Sequence, residues 1–214
     1  LRTAHLQSNS LGVISASTSM SSMSPVGTDN WYEELMRFTW ELEMLGASLG
    51  AIVDPQETSH LQHRLLDAIN WFGDAATDAN RSSSIVKYIS SIERLLFGSF
   101  ELGRKKSFAR RVSSVLKAFG CDDDGKVHQQ ASIVYETRSA LVHGEYRETA
   151  EELDEAAGLS RMCLLCSLRL YLLMKRVFGS PDPTKLEEVM KRIVEEGADW
   201  LLEAAGNPET DVIG

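Results

Sequence analysis

Apolar residues in this chain recur at three- and four-residue steps, and strand-type alternation of β-branched residues is nearly absent. Trp31, Leu35, Phe38, Leu42, Leu45 and Leu49 make the first stripe, with Asn30 as cap, Glu33 in the capping-box position and an end near Gly50. Beyond the Asp54-Pro55 break, Leu61, Leu65, Leu66, Ile69 and Phe72 make a second. Residues 78–83 read as a loop with capping chemistry, and Ile85, Tyr88, Ile89, Ile92, Leu95 and Leu96 follow as a third. Phe108, Val112, Val115, Leu116 and Phe119 line a fourth, after a connection at 98–103. A helix starting near Lys126 carries Ile133, Val134, Leu141 and Val142 and ends at Gly144. From Leu153 to Phe178, Leu164, Leu165, Leu168, Tyr171, Leu172 and Val177 mark a long helix, capped by Thr149 or a neighbour. After Pro181-Asp182-Pro183, Thr184 with Glu187 reads as a capping box for a last helix bearing Leu186, Val189, Met190, Ile193 and Leu201.

No proline falls between Pro55 and Pro181, so that whole interval is open to helix. The pattern predicts an all-α fold, an antiparallel bundle of about four core helices extended by a helix at each end. Residues 30–205 form one domain in this reading, with the core at 57–180. Residues 1–29, rich in Ser, Thr and Met, read as a flexible tail or linker, and 206–214 as a frayed tail.

Composition narrows the function. The chain has 214 residues, 43% of them hydrophobic, enough for a real core. Its formal net charge of -9 argues against a protein that coats nucleic acid, though not against a small phosphate site. No apolar run reaches the ~18 residues of a membrane span, so no membrane is expected. Leu11 to Ala16 is too short and polar for a secretory core. Three cysteines make no disulfide framework, and a reducing, cytoplasmic setting is the expectation. Cys163 and Cys166 fall mid-helix, where a CxxC pair reads as core packing rather than redox chemistry. The chain begins at Leu1, which reads as a trimmed protein or a piece of a longer chain with further domains.

No metal or cofactor is expected. His60 and His63 lack a third ligand nearby, and an EF-hand loop begun at Asp122 fails because its twelfth position is Ile133. The segment with Arg104, Lys105, Lys106, Arg110 and Arg111 is the most basic in the chain. It reads either as an RNA-guiding face or as a solvated face that balances nearby acids.

The remaining constellation lies in Ile133 to Gly144, Ile-Val-Tyr-Glu-Thr-Arg-Ser-Ala-Leu-Val-His-Gly. Arg138 and His143 are five steps apart, about 140° on an ideal helix, so they converge only if the helix ends or bends at His143. A forked, always-charged donor beside a titratable ring suits a phosphodiester, one holding the anion and the other moving the proton.

These residues resemble the R-x4-6-H motif of HEPN domains, and the wording Arg-Ser-Ala-Leu-Val-His-Gly is closest to the Apea-like branch. Leu65-Leu66-Asp67-Ala68-Ile69-Asn70-Trp71-Phe72 resembles the first helix of that branch. Ser91-Ile92-Glu93-Arg94-Leu95-Leu96 resembles its next helix, and Arg110-Arg111-Val112 the one after. The resemblance covers about residues 57–180. It implies a homodimer with two motifs across one cleft, and a metal-independent endoribonuclease cutting RNA by attack of its own 2′-hydroxyl, in a toxin or defence effector. His143 would be the general acid/base and Arg138 would stabilise phosphate charge. Ser139 would hydrogen-bond the substrate or orient the pair, with Tyr146 nearby, and Glu93 would hold Arg138. The resemblance equally covers non-catalytic modules that dimerise or bind nucleotide or RNA beside sensor or effector domains. A third reading makes Arg138 and His143 a structural cap and pair, and Glu93 a solvated acid.

Overall fold

The periodic segments are helical in a computed structural model that describes residues 2–8, 14–20, 36–53, 59–98, 104–121, 125–144 and 149–206, with backbone alone at 2–8, 14–20, Ala51 and Arg104. They are α1 Thr39–Val53, α2 His60–Thr77, α3 Arg81–Leu96, α4 Arg104–Ala118, α5 Val127–Val142, α6 Ala150–Phe178, α7 Pro183–Glu196 and α8 Asp199–Ala204. Local side chains set several starts. Ser59 and Gln62 cap α2 reciprocally, as Thr149 and Glu152 cap α6. Asn80 accepts the Ser83 N–H at 3.1 Å at the start of α3.

The chain divides into two compact units, 1–39 and 40–214. From Trp40 onward all described secondary structure is helical, so this unit is an all-α bundle. Helix α3 touches α2, α4, α5 and α6, and its Ile85, Ile89, Ile92, Leu95 and Leu96 are wholly buried. Each such side chain stabilises the fold by roughly 1.5–3 kcal/mol through area removed from water.

The C-terminal end of α3 is the bundle's polar knot. A helix end leaves its last carbonyls without partners inside the helix. Here three other helices supply the donors. Tyr171 of α6 donates its hydroxyl to Leu95 O at 2.5 Å, and Arg111 of α4 donates Nη1 to Leu96 O at 2.7 Å. Arg64 of α2 donates to Phe97 O. Glu187 of α7 accepts from Arg111 Nη2 at 2.6 Å and from the Gly98 N–H. Burial pushes the Tyr171 phenol up to about 12, so it stays a donor. Gly98 lets α7 close on this knot, because a Cβ there would overlap the Pro183 carbonyl.

Several sequence expectations are corrected. Within the predicted tail at 1–29, β1 Arg2–Ser8 pairs antiparallel with β2 Ile14–Met20, Arg2 opposite Met20 and Ser8 opposite Ile14. A ladder of backbone hydrogen bonds needs no apolar face, so Ser/Thr-rich strands leave no hydrophobic signature. In α1, Leu42 and Leu49 are exposed while Glu41, Met44 and Ser48 are buried, so the inward face is rotated from the predicted stripe. Glu41 pairs with Arg169 of α6, and Arg176 lies over the Trp40 ring at 5.0 Å. The predicted cap at Asn30 and Glu33 lies outside the described residues. Helix α7 is capped by Asp182, which accepts the Lys185 N–H at 2.8 Å, with Pro183 in the first turn. Thr184 is therefore not the cap, because Glu187 is held by Arg111. The last helix is also not continuous: Gly197, at φ 84°, separates α7 from α8.

Among the described residues, α6 is the one helix long and apolar enough to cross a membrane. Of its most apolar window, 61% is buried inside the bundle, as a core helix requires.

Candidate functional site

Helix α5 is anchored by Val127, Ala131, Val134 and Tyr135, all buried, and by Thr137, which donates to Glu152 Oε1 at 3.0 Å. The helix stays right-handed through His143, at φ -87° and ψ -2°. The chain turns away at Gly144, with φ +73°, a conformation that glycine adopts without strain. Because His143 continues the helix, it and Arg138 remain about 140° apart. The bend at His143 that would have let them converge is absent from this backbone.

The two residues accordingly serve different surroundings. Arg138 faces α3, where its Nη2 lies 3.8 Å from Glu93 Oε2 and its guanidinium sits 5.7 Å from the Tyr135 ring centre. The Tyr135 hydroxyl donates to Glu93 Oε1 at 3.4 Å. Arg138 Nε is buried and has no hydrogen-bond partner among the described residues. Glu93, with a side chain 12% exposed, is thus shared by an arginine and a phenol rather than solvated.

His143 is exposed and faces an open cavity of about 330 Å³. Lys105, Tyr135, Glu136, Ser139 and Ala140 line it with His143. Glu136, Ser139, Ala140 and His143 follow steps of three and four on α5, so one helical face presents them together. Lys105 reaches in from the first turn of α4 and pairs with the Glu136 carboxylate. Tyr135 belongs to both environments, lining the cavity and bonding Glu93. An exposed imidazole, a hydroxyl and an ammonium can together hold an anionic oxygen and move a proton.

The other sequence candidates separate. Lys106 and Arg110 are exposed on α4, whereas Arg111 is buried against Glu187, Leu96 O and the Phe97 ring 4.3 Å away. Arg111 is therefore a structural cation and not part of an RNA-guiding face. The Arg104 side chain and all of Tyr146 lie outside the described residues. Sequence reasoning missed Tyr135 and Glu136. The 136–139–143 spacing was the signal for Glu136, while Tyr135 could be found only through its contact with Glu93 on another helix. Among the described residues no group of three or more His, Cys, Asp or Glu side chains is placed to hold a metal ion.

No protein-family model, curated protein or solved structure matches this chain.

Proposed function

We propose that the chain is a metal-independent endoribonuclease of the kind its resemblance to Apea-like HEPN domains implies, acting at the His143 end of α5. The observation that carries this reading is the shared open face of His143, Ser139 and Lys105. His143 takes the proton of a ribose 2′-hydroxyl as that oxygen attacks the adjacent phosphorus. The 5′-oxygen then leaves and must gain a proton, giving a cyclic phosphate and a 5′-hydroxyl. An imidazole suits both transfers near neutral pH. Lys105, released from Glu136 by the incoming phosphate, offsets charge on the non-bridging oxygens, and Ser139 donates to one of them. One imidazole cannot be base and acid in the same step. A second copy facing the first across the α5 ends supplies the other His143. Glu93 and Tyr135 hold Arg138 in one orientation in each copy.

A second reading has its own support. The Glu93–Arg138 contact already occupies the arginine fork structurally, and the net charge is -9. Both fit a non-catalytic module that dimerises or binds RNA or nucleotide beside a sensor or effector domain.

Cleavage of RNA by the purified protein, with and without chelator, separates the two. His143→Ala is expected to lower the rate at least ~10²-fold while leaving the melting temperature unchanged, since the side chain is exposed. Chelator is expected to have no effect. Full cleavage by the His143→Ala protein would sink the enzyme reading.

A further inference from the structure

Helix α4 ends in a turn that delivers one cysteine to another. The Gly120 N–H bonds Lys117 O at 3.1 Å and the Cys121 N–H bonds Leu116 O at 2.7 Å, with Gly120 at φ +71°. This is the paired hydrogen-bond pattern of a glycine-terminated helix, and it fixes the residue after the glycine. Cys121 is exposed on that turn. Its sulfur lies 3.7 Å from that of Cys166, a buried residue midway along α6, which donates its S–H toward it. Cys163, one turn earlier on α6, is buried as well.

We propose that Cys121 and Cys166 are a reversible thiol pair, with Cys121 the site at which small disulfides of the glutathione class enter and Cys166 the thiol that resolves the adduct. The geometry favours this order. At 3.7 Å the two sulfurs are in van der Waals contact. A rotation about the Cys121 side chain and a small movement of the turn can close the distance to the ~2 Å of a disulfide. Cys121 alone of the three is open to a dissolved reagent. Burial pushes the thiols of Cys163 and Cys166 well above the ordinary cysteine range, so neither competes as first attacker.

In the first step the Cys121 thiolate attacks the S–S bond of the small disulfide. A mixed disulfide forms on Cys121, and one small thiol leaves, taking up the proton that Cys121 gave to solvent. In the second step Cys166 loses its proton and its sulfur attacks that of Cys121. The protein disulfide forms and the second small thiol departs with the proton. Two protein thiols are oxidised by two electrons, and one small disulfide is reduced to two thiols. The bond would join residues 45 positions apart and close a loop that contains α5.

The test uses the full chain incubated with glutathione disulfide, followed by intact mass, peptide mapping and free-thiol titration. The wild type is expected to lose two of its three free thiols, retain no glutathione and show a Cys121–Cys166 linked peptide. Its melting temperature is expected to rise on the order of 5–15 °C, reversed by dithiothreitol. Cys121→Ser should take up nothing, and because Cys121 is exposed it should fold as the wild type does. Cys166→Ser should stop at one glutathione on Cys121, while Cys163→Ser should still form the bond. No thiol loss in the wild type, a lasting mixed disulfide there, or a bond that requires Cys163 instead of Cys166 would overturn the pairing.

Discussion

At the scale of single residues, the basic segment of α4 contains two kinds of cation. Lys105, Lys106 and Arg110 face outward, whereas Arg111 is 7% exposed and ties Glu187 to Leu96 O. Removing Arg111 takes this donor from the Leu96 carbonyl and leaves the half-buried Glu187 carboxylate with the Gly98 N–H but without its cation, at a cost of about 1–3 kcal/mol. Arg111→Ala is therefore expected to cost stability of that order in urea titration, whereas Lys106→Glu should change it by less than about 0.5 kcal/mol. The outward cations are the ones that the proposed RNA-binding role would use. Replacing Lys105, Lys106 and Arg110 together with Glu should weaken RNA binding and flatten its salt dependence, because fewer counterions are released. Binding unchanged by the triple variant would reduce this face to a solvated one. The lesson for reading the chain is in Arg110 and Arg111. They are adjacent and identical in type, yet a 100° helical step sends one to water and one to the core.

At the scale of elements, the end of α3 decides how four other helices assemble. Tyr171, Arg111 and Arg64 satisfy its last carbonyls, and Glu187 bonds the next N–H. At Gly98 that end meets α7 too closely to leave room for a Cβ. Gly98→Ala would push its new methyl into the Pro183 carbonyl, a backbone atom that cannot swing aside. A cost of about 1–3 kcal/mol is expected, seen as a lowered melting temperature with α7 cut first in limited proteolysis. An unaltered melting temperature would mean that α7 shifts without loss. The caps of α3 and α6 were legible because Asn80, in the 78–83 loop, and Thr149 act within one turn, whereas the Ser59–Gln62 cap of α2 went unread although it is equally local. The cap of α7 was misread because Glu187 satisfies the capping-box spacing while its carboxylate is drawn to Arg111, 76 positions away.

At the scale of the whole molecule, the proposed chemistry calls for two copies. Arg138 and His143 stand on different sides of α5, so one chain presents one imidazole to its cavity. We propose a two-fold dimer burying more than ~1,200 Å² in total. Light scattering at micromolar concentration is expected to give twice the chain mass. A monomer there would contradict the dimer and, with it, the two-imidazole mechanism.

The sequence by itself determined the helical class, the extent of most helices and the end of α5 at Gly144. Those depend on steps of three and four residues and on side chains bonding within a turn, which are local interactions. It also marked His143 and Ser139, through the resemblance of 138–144 to a known motif; their four-residue spacing puts both on one face. Only the tertiary structure decided what each polar side chain meets. Lys105 comes to His143, Arg138 goes to Glu93, Arg111 goes inward and Cys121 comes to Cys166 because helices distant in sequence pack side by side. That packing depends on how whole faces fit together, a quantity no single window of the chain contains.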